Sequence, residues 1–203
     1  MSEAFPIATR TLTVNAGEDK VIHYPEVIGL QDKGWQATVN ALIAKQTQAL
    51  IDQQVGDDPS NVTTLIGEYE LKNNQRNIFS LLQSNYIYRY QAAHGMTIIG
   101  SLTFDMDKKK VYTLKELFKP DSDYVGRLSA IVAEQIKARD IPVLEPFTSI
   151  SPDQEFYVAD KTLVLYYQLY DLAPYVYGIV YFPISIYDIS DMINEDGPLA
   201  VLM

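Results

Sequence analysis

Apolar and polar side chains alternate most regularly between Met96 and Met106. There Met96, Ile98, Gly100, Leu102, Phe104 and Met106 take every second position against Thr97, Ser101, Thr103 and Asp105. A period of two predicts a strand with unlike faces. Leu65 to Lys72 repeats it, with Gly67, Tyr69 and Leu71 on one side and Glu68, Glu70 and Lys72 on the other. Ile78 to Tyr90 is apolar on both faces for much of its length, which predicts a central strand. Earlier, Pro6 to Val14 and Lys20 to His23 alternate around the turn-forming Asn15-Ala16-Gly17-Glu18, predicting an opening hairpin. Between these strands the period changes: Trp35, Val39, Leu42, Ile43 and Leu50 fall at helical spacing within residues 32–54. Gly56-Asp57-Asp58-Pro59 ends that helix, whose Trp35 stripe is expected to lie on the sheet.

Beyond Met106, Thr113 and Glu116 form a capping-box pattern that predicts a short helix to Phe118. Val125, Leu128, Val132 and Ile136 predict a second helix over residues 122–139, stopped before Pro142 and Pro146. Residues 141–153 then read as a connector and 156–158 as a strand. Thr162 to Ile186 reads as two strands joined by Asp171-Leu172-Ala173-Pro174. Alternation continued into Gly178 puts Tyr175 and Tyr177 on one face and Val176 on the other. Seven of the fifteen tyrosines lie between Tyr166 and Tyr187, a density that suits either a doubly covered sheet or a surface built for contact. Ser185 to Ile193 predicts a last short helix. Strands outnumber helices and cluster, so the fold class is α+β, an antiparallel sheet with helices packed mainly on one face.

The 203 residues suffice for one large or two small domains. A formal charge of -10 argues against a nucleic-acid partner and against anionic lipid. Cysteine is absent, which removes disulfides and thiolate metal sites together. No apolar run approaches the ~20 residues of a membrane span. The opening MSEAFPIATRTLTVN lacks the basic and apolar regions of a signal peptide. The expectation is therefore a cytoplasmic protein if Met1 is the native start, and an extracytoplasmic one if a leader or anchor was removed.

Chemistry is sparse. The two histidines, His23 and His94, lack helical i, i+4 spacing and a nearby carboxylate cluster, so neither a metal nor any other cofactor is expected. His94 in the Gln91-Ala92-Ala93-His94-Gly95 connection is read as a loop-fixing ring that bonds nearby backbone, with a general base as the sharper alternative. The serines lack a nucleophile-elbow frame, and no phosphate-cradling glycine loop is present. Asp171-Leu172-Ala173-Pro174-Tyr175 is either a rigid turn with buried tyrosines or an exposed contact patch.

Three stretches, taken in order, carry a resemblance. They are His23-Tyr24-Pro25-Glu26-Val27-Ile28-Gly29-Leu30 leading to Val39-Asn40, then Ala92-Ala93-His94-Gly95, then Leu114-Lys115-Glu116-Leu117-Phe118-Lys119. With the closing Tyr170-Asp171-Leu172-Ala173-Pro174-Tyr175 and Gly178, they resemble the tandem uncharacterised domains of RsiV-type anti-sigma factors and PdaC-type peptidoglycan deacetylases. The resemblance implies a PdaC-type accessory domain over 1–95 and an RsiV-type domain over 96–203, packed as one unit. It also implies a non-catalytic bacterial module, which in the anti-sigma factor binds lysozyme. The chain departs from the pattern at Val176, Tyr177 and Gln91-Ala92, and it shows neither the anchor nor the catalytic domain of those relatives. The leading expectation is a binding module for a cell-wall-related protein or a glycan, with Tyr170, Asp171, Pro174, Tyr175, Tyr177 and His94 as contacts. The alternatives are a wall-polymer hydrolase using His94 and a carboxylate such as Asp171, and a homodimer formed through the tyrosine-rich strands.

Overall fold

The computed structural model describes residues 6–203. Residues 1–5, on which the signal-peptide expectation partly rests, lie outside the described residues. Strands β1 (Ala8–Asn15) and β2 (Lys20–Ile28) form the expected hairpin. Helix α1 (Lys33–Val55) follows, its first turn capped by the Asp32 carboxylate, which accepts the Trp35 N–H at 2.9 Å. It then hands the chain to β3 (Val62–Gln75), which lies parallel to β2. Parallel neighbours need such a crossover, because a tight turn can join only antiparallel strands. β3 returns as β4 (Ile78–Arg89) through Arg76 and Asn77, both at positive φ as a two-residue hairpin loop demands. β5 (Met96–Asp105) and the two-residue β6 (Lys110–Val111) complete a sheet in the order β1-β2-β3-β4-β5-β6.

α1 covers one face of this sheet. Val39 and Ile43 are fully buried against Phe79, Leu81 and Phe104. Trp35 meets Phe104 edge to face with ring centroids 6.3 Å apart, so the indole packs on the sheet as its place in the stripe predicts.

The later strands build a second sheet instead of extending the first. β7 (Phe156–Ala159), β8 (Thr162–Tyr167) and β9 (Val180–Ser185) form an antiparallel meander. It packs on the face of the large sheet opposite α1, enclosing Leu82, Ile99, Tyr157, Val164 and Tyr166. Three side chains of the large sheet satisfy the outward edge of β7. The Ser101 hydroxyl donates to the Phe156 carbonyl, Ser80 Oγ accepts the Val158 N–H at 3.1 Å, and Asn73 Oδ1 accepts the Asp160 N–H at 3.2 Å. A strand edge met by side chains every second residue needs no strand beside it, which is why two sheets form where the sequence suggests one.

Helix α2 (Tyr124–Ala138) packs on β9 and buries Leu128 and Val132. Further along the same stripe, Gln135 and the C-cap Arg139 donate to the carbonyls of Pro183 and Tyr181 and close the β9 edge. Only half of the expected capping box forms, over a 3-10 turn at Lys115–Leu117: the Glu116 carboxylate accepts the Thr113 N–H and hydroxyl, while the Glu116 N–H goes to the Thr113 carbonyl and not to its side chain. The helix expected over 185–193 is a 3-10 turn at Ile186–Ile189 followed by an extended bridge from Ile193 to Phe118. Its isoleucines are nonetheless buried: the same spacing is met by a tight turn plus a bridge. A further short helix, α3 (Pro198–Leu202), closes the described chain. Among the described residues no helix is long and apolar enough to cross a membrane.

Candidate functional site

The connection from β8 to β9, residues 168–179, is where the structure departs most from the alternating pattern. Tyr175–Tyr177 is a 3-10 turn, not strand, so the expectation that Tyr175 and Tyr177 share one strand face is corrected. Pro174 fixes the entry at φ -58° and Gly178 the exit at φ 67°, a conformation that a side chain resists. Leu172 and Ala173 are buried and anchor the loop, and the Leu172 carbonyl accepts the Leu144 N–H at 2.9 Å. The tyrosines around this anchor part company. Tyr175 is half-buried, whereas Tyr170, Tyr177 and Val176 stand 46%, 48% and 84% exposed.

The β4–β5 turn and this loop meet at His94. Its imidazole stacks on Tyr175 with centroids 4.0 Å apart. Nδ1 lies 2.9 Å from the Gly95 carbonyl, an acceptor only, so Nδ1 carries the ring hydrogen. In the neutral ring Nε2 is then the acceptor for the Tyr170 hydroxyl, 3.4 Å away. The Tyr175 hydroxyl donates to the same Gly95 carbonyl at 2.9 Å. Gly95 matters in a second way: a Cβ there would lie 2.3 Å from the Tyr86 ring, so only glycine lets that ring lie on the backbone. His94, Tyr175 and Tyr170 thus form one continuous aromatic cluster, and the Tyr86 ring lies against the Gly95 backbone next to it in the chain. Tyr170 holds its place at φ 68°, a strained region for an aromatic residue.

The structure therefore brings together His94, Tyr170 and Tyr175, with Pro174 starting the turn and Tyr177 exposed at its far end. Asp171 is exposed, and its carboxylate makes no hydrogen bond to His94 among the described residues. It acts instead on Glu155 and Tyr167. Burial pushes the Glu155 carboxyl above the usual carboxylate range. Asp171 adds to the rise, while hydrogen bonds from Gln168 and Tyr166 oppose it. Burial also raises Tyr167 to about 12, again with a contribution from Asp171. Among the described residues, no group of three His, Cys, Asp or Glu side chains is placed to hold a metal ion.

Sequence reasoning missed Tyr86, Gly95 as its seat, and Gln168. The Gln168 carboxamide accepts the Ile99 N–H at 3.0 Å and returns a hydrogen bond to the Ile99 carbonyl at 2.7 Å. The only signal for Gln168 was a polar residue interrupting an apolar run just before the loop.

An α+β module of this build has solved counterparts. A member of the DUF3298 family from Bacteroides fragilis matches 97% of this chain and 97% of its own at a TM-score of 0.70 with 13% identity. A DUF3298 family protein from Pseudomonas aeruginosa matches 93% and 95% at 0.66 with 16% identity. The fold is that of the DUF3298 structures, and residues 115–187, including the Tyr170–Tyr177 loop, match the family described as "Protein of unknown function (DUF3298)". Among curated proteins, the chain is homologous to the anti-sigma-V factor RsiV of Bacillus subtilis (strain 168), 28% identical over 184 residues. Over 113 residues it is 24% identical to the peptidoglycan-N-acetylmuramic acid deacetylase PdaC of the same organism. Those alignments take in 83% and 52% of this chain but span only 63% and 24% of the two relatives.

Proposed function

We propose that the chain is a binding module whose recognition surface is the 168–179 loop seated on the His94 turn. One observation carries this reading. Tyr170 is left exposed at a strained backbone angle while the Tyr175 and His94 rings behind it are locked by stacking and hydrogen bonds. Strain held in an exposed aromatic is a mark of contact surfaces, where rigid tyrosines contribute area at low entropic cost. Val176 and Tyr177 extend the apolar surface beyond what a lone exposed residue represents.

The ligand we propose is a cell-wall-related protein of the lysozyme type, displayed outside the cytoplasm, with a wall glycan as the alternative. A net charge of -10 favours a basic protein partner. A hydrolase draws no support from this geometry, because His94 is turned to Tyr170 and the Gly95 carbonyl and not to a carboxylate.

The test pairs immobilised lysozyme with co-sedimentation on insoluble peptidoglycan. The double variant Tyr170→Ser, Tyr177→Ser is expected to keep the native melting temperature and lose binding at least ten-fold, since interface aromatics contribute more to association than to folding. Wild-type protein that binds neither probe, or a double variant that binds as well as wild type, refutes the assignment. Loss of a dimer on gel filtration in the same variant would move the surface to a subunit interface.

A further inference from the structure

β5 is paired with β4 along its length but with β6 only at Phe104 and Asp105. On its other edge the backbone groups of Ile99, Ser101 and Thr103 point outward, since outward groups recur at every second residue. Ile99 is satisfied by the Gln168 carboxamide, which gives it one acceptor and one donor side by side. The Thr103 carbonyl accepts the Tyr112 N–H at 3.0 Å. Between them, the Ser101 N–H and C=O have no hydrogen-bond partner among the described residues.

This gap opens into a cavity of about 300 Å³, at the small end of ligand pockets. Gln46, Thr113, Asp153 and Glu155 stand around it, and the Tyr112 and Tyr166 rings form part of its wall. Its two ends are closed by Gln168 and by the 112–114 segment, so an added strand has no room to run through. What fits is a compact body that presents a donor and an acceptor side by side to Ser101 and carries further polar groups to the rim. A carboxamide meets the first requirement, as Gln168 demonstrates two residues away, but leaves the rim unused.

We infer that the pocket binds a single pyranose unit. One hydroxyl of a vicinal pair accepts the Ser101 N–H and its neighbour donates to the Ser101 carbonyl, while Glu155 and Asp153 accept from the remaining hydroxyls. The pocket meets the 168–179 loop only at Gln168, which donates to Glu155 at 2.8 Å, and neither Tyr170 nor Tyr177 lines it, so the two assignments are tested at different residues.

The experiment is a titration of the isotopically labelled chain with methyl glucoside, N-acetylglucosamine and propionamide, followed at backbone amide resonances. At least one of the sugars is expected to shift the Ser101 resonance saturably. Glu155→Ala is expected to weaken that response about ten-fold, the usual effect of losing a hydrogen bond to a charged acceptor. A response to propionamide without one to either sugar would replace the pyranose with a carboxamide ligand. Unmoved Ser101 resonances with all three probes, or sugar-induced shifts confined to other residues, would overturn the site.

Discussion

Trp35 sets its indole edge-on to Phe104, yet the buried Nε1 has no hydrogen-bond partner among the described residues. The two features act in opposite directions. Trp35→Ala should lower stability by roughly 3 kcal/mol, the usual loss on emptying an aromatic site. Trp35→Phe keeps a ring against Phe104 and removes a donor whose unpaired burial itself costs ~1–3 kcal/mol. Its net cost should therefore be under about 1 kcal/mol, and urea melts of the two variants check the ordering. At His94 the sequence reading of a loop-fixing ring is what the Gly95 hydrogen bond supplies. His94→Ala is expected to cost ~1 kcal/mol and to speed amide exchange in the Tyr170 and Tyr175 segments, which the ring now holds. Faster exchange confined to residues 91–95 would show that the ring anchors only its own turn.

The strands with the strongest alternation were legible because period two is a property of the chain itself, as Met96–Asp105 shows. The tyrosine-rich stretch was less so. Its alternation is interrupted by Tyr170 and Gly178 at positive φ, and nothing local distinguishes a tyrosine in a 3-10 turn from one in a strand. Burial now separates them, and the separation has a titration consequence. Tyr157 in β7 and Tyr167 in β8 are both pushed up to about 12, chiefly by burial, while an unfolded tyrosine ionises near 10. Tyr166 is displaced further in the same direction. Each group binds its proton more tightly in the folded state, so its contribution is fully present below pH 10 and is lost as pH rises toward about 12. Phenolate absorbance from these buried rings should therefore rise late, in a step coincident with loss of near-ultraviolet circular dichroism. A single smooth titration with the fold intact past pH 12 would mean these rings are open to solvent.

At the scale of the whole molecule, motifs resembling two different domains divide the chain at residue 95, yet the β4–β5 ladder pairs Ile78 through Ile87 with Asp105 through Met96 across that point. The expected division rests on motifs, which lie along the chain. The ladder was not legible, because pairing partners are chosen by burial between distant segments. A fragment ending at residue 95 would leave β4, most of whose residues are buried, without its neighbour, and would empty the Phe104 site under Trp35. A fragment beginning at 96 would lose Ser80 and Asn73, which cap β7, and Leu82, which lies between the sheets. We therefore expect neither fragment to fold alone, and the full chain to unfold in one cooperative step with calorimetric and van't Hoff enthalpies equal. Mixing the two fragments should restore dispersed amide resonances only when both are present. Fragment 1–95 melting cooperatively by itself would show instead that the two segments are separate folding units that happen to share a sheet.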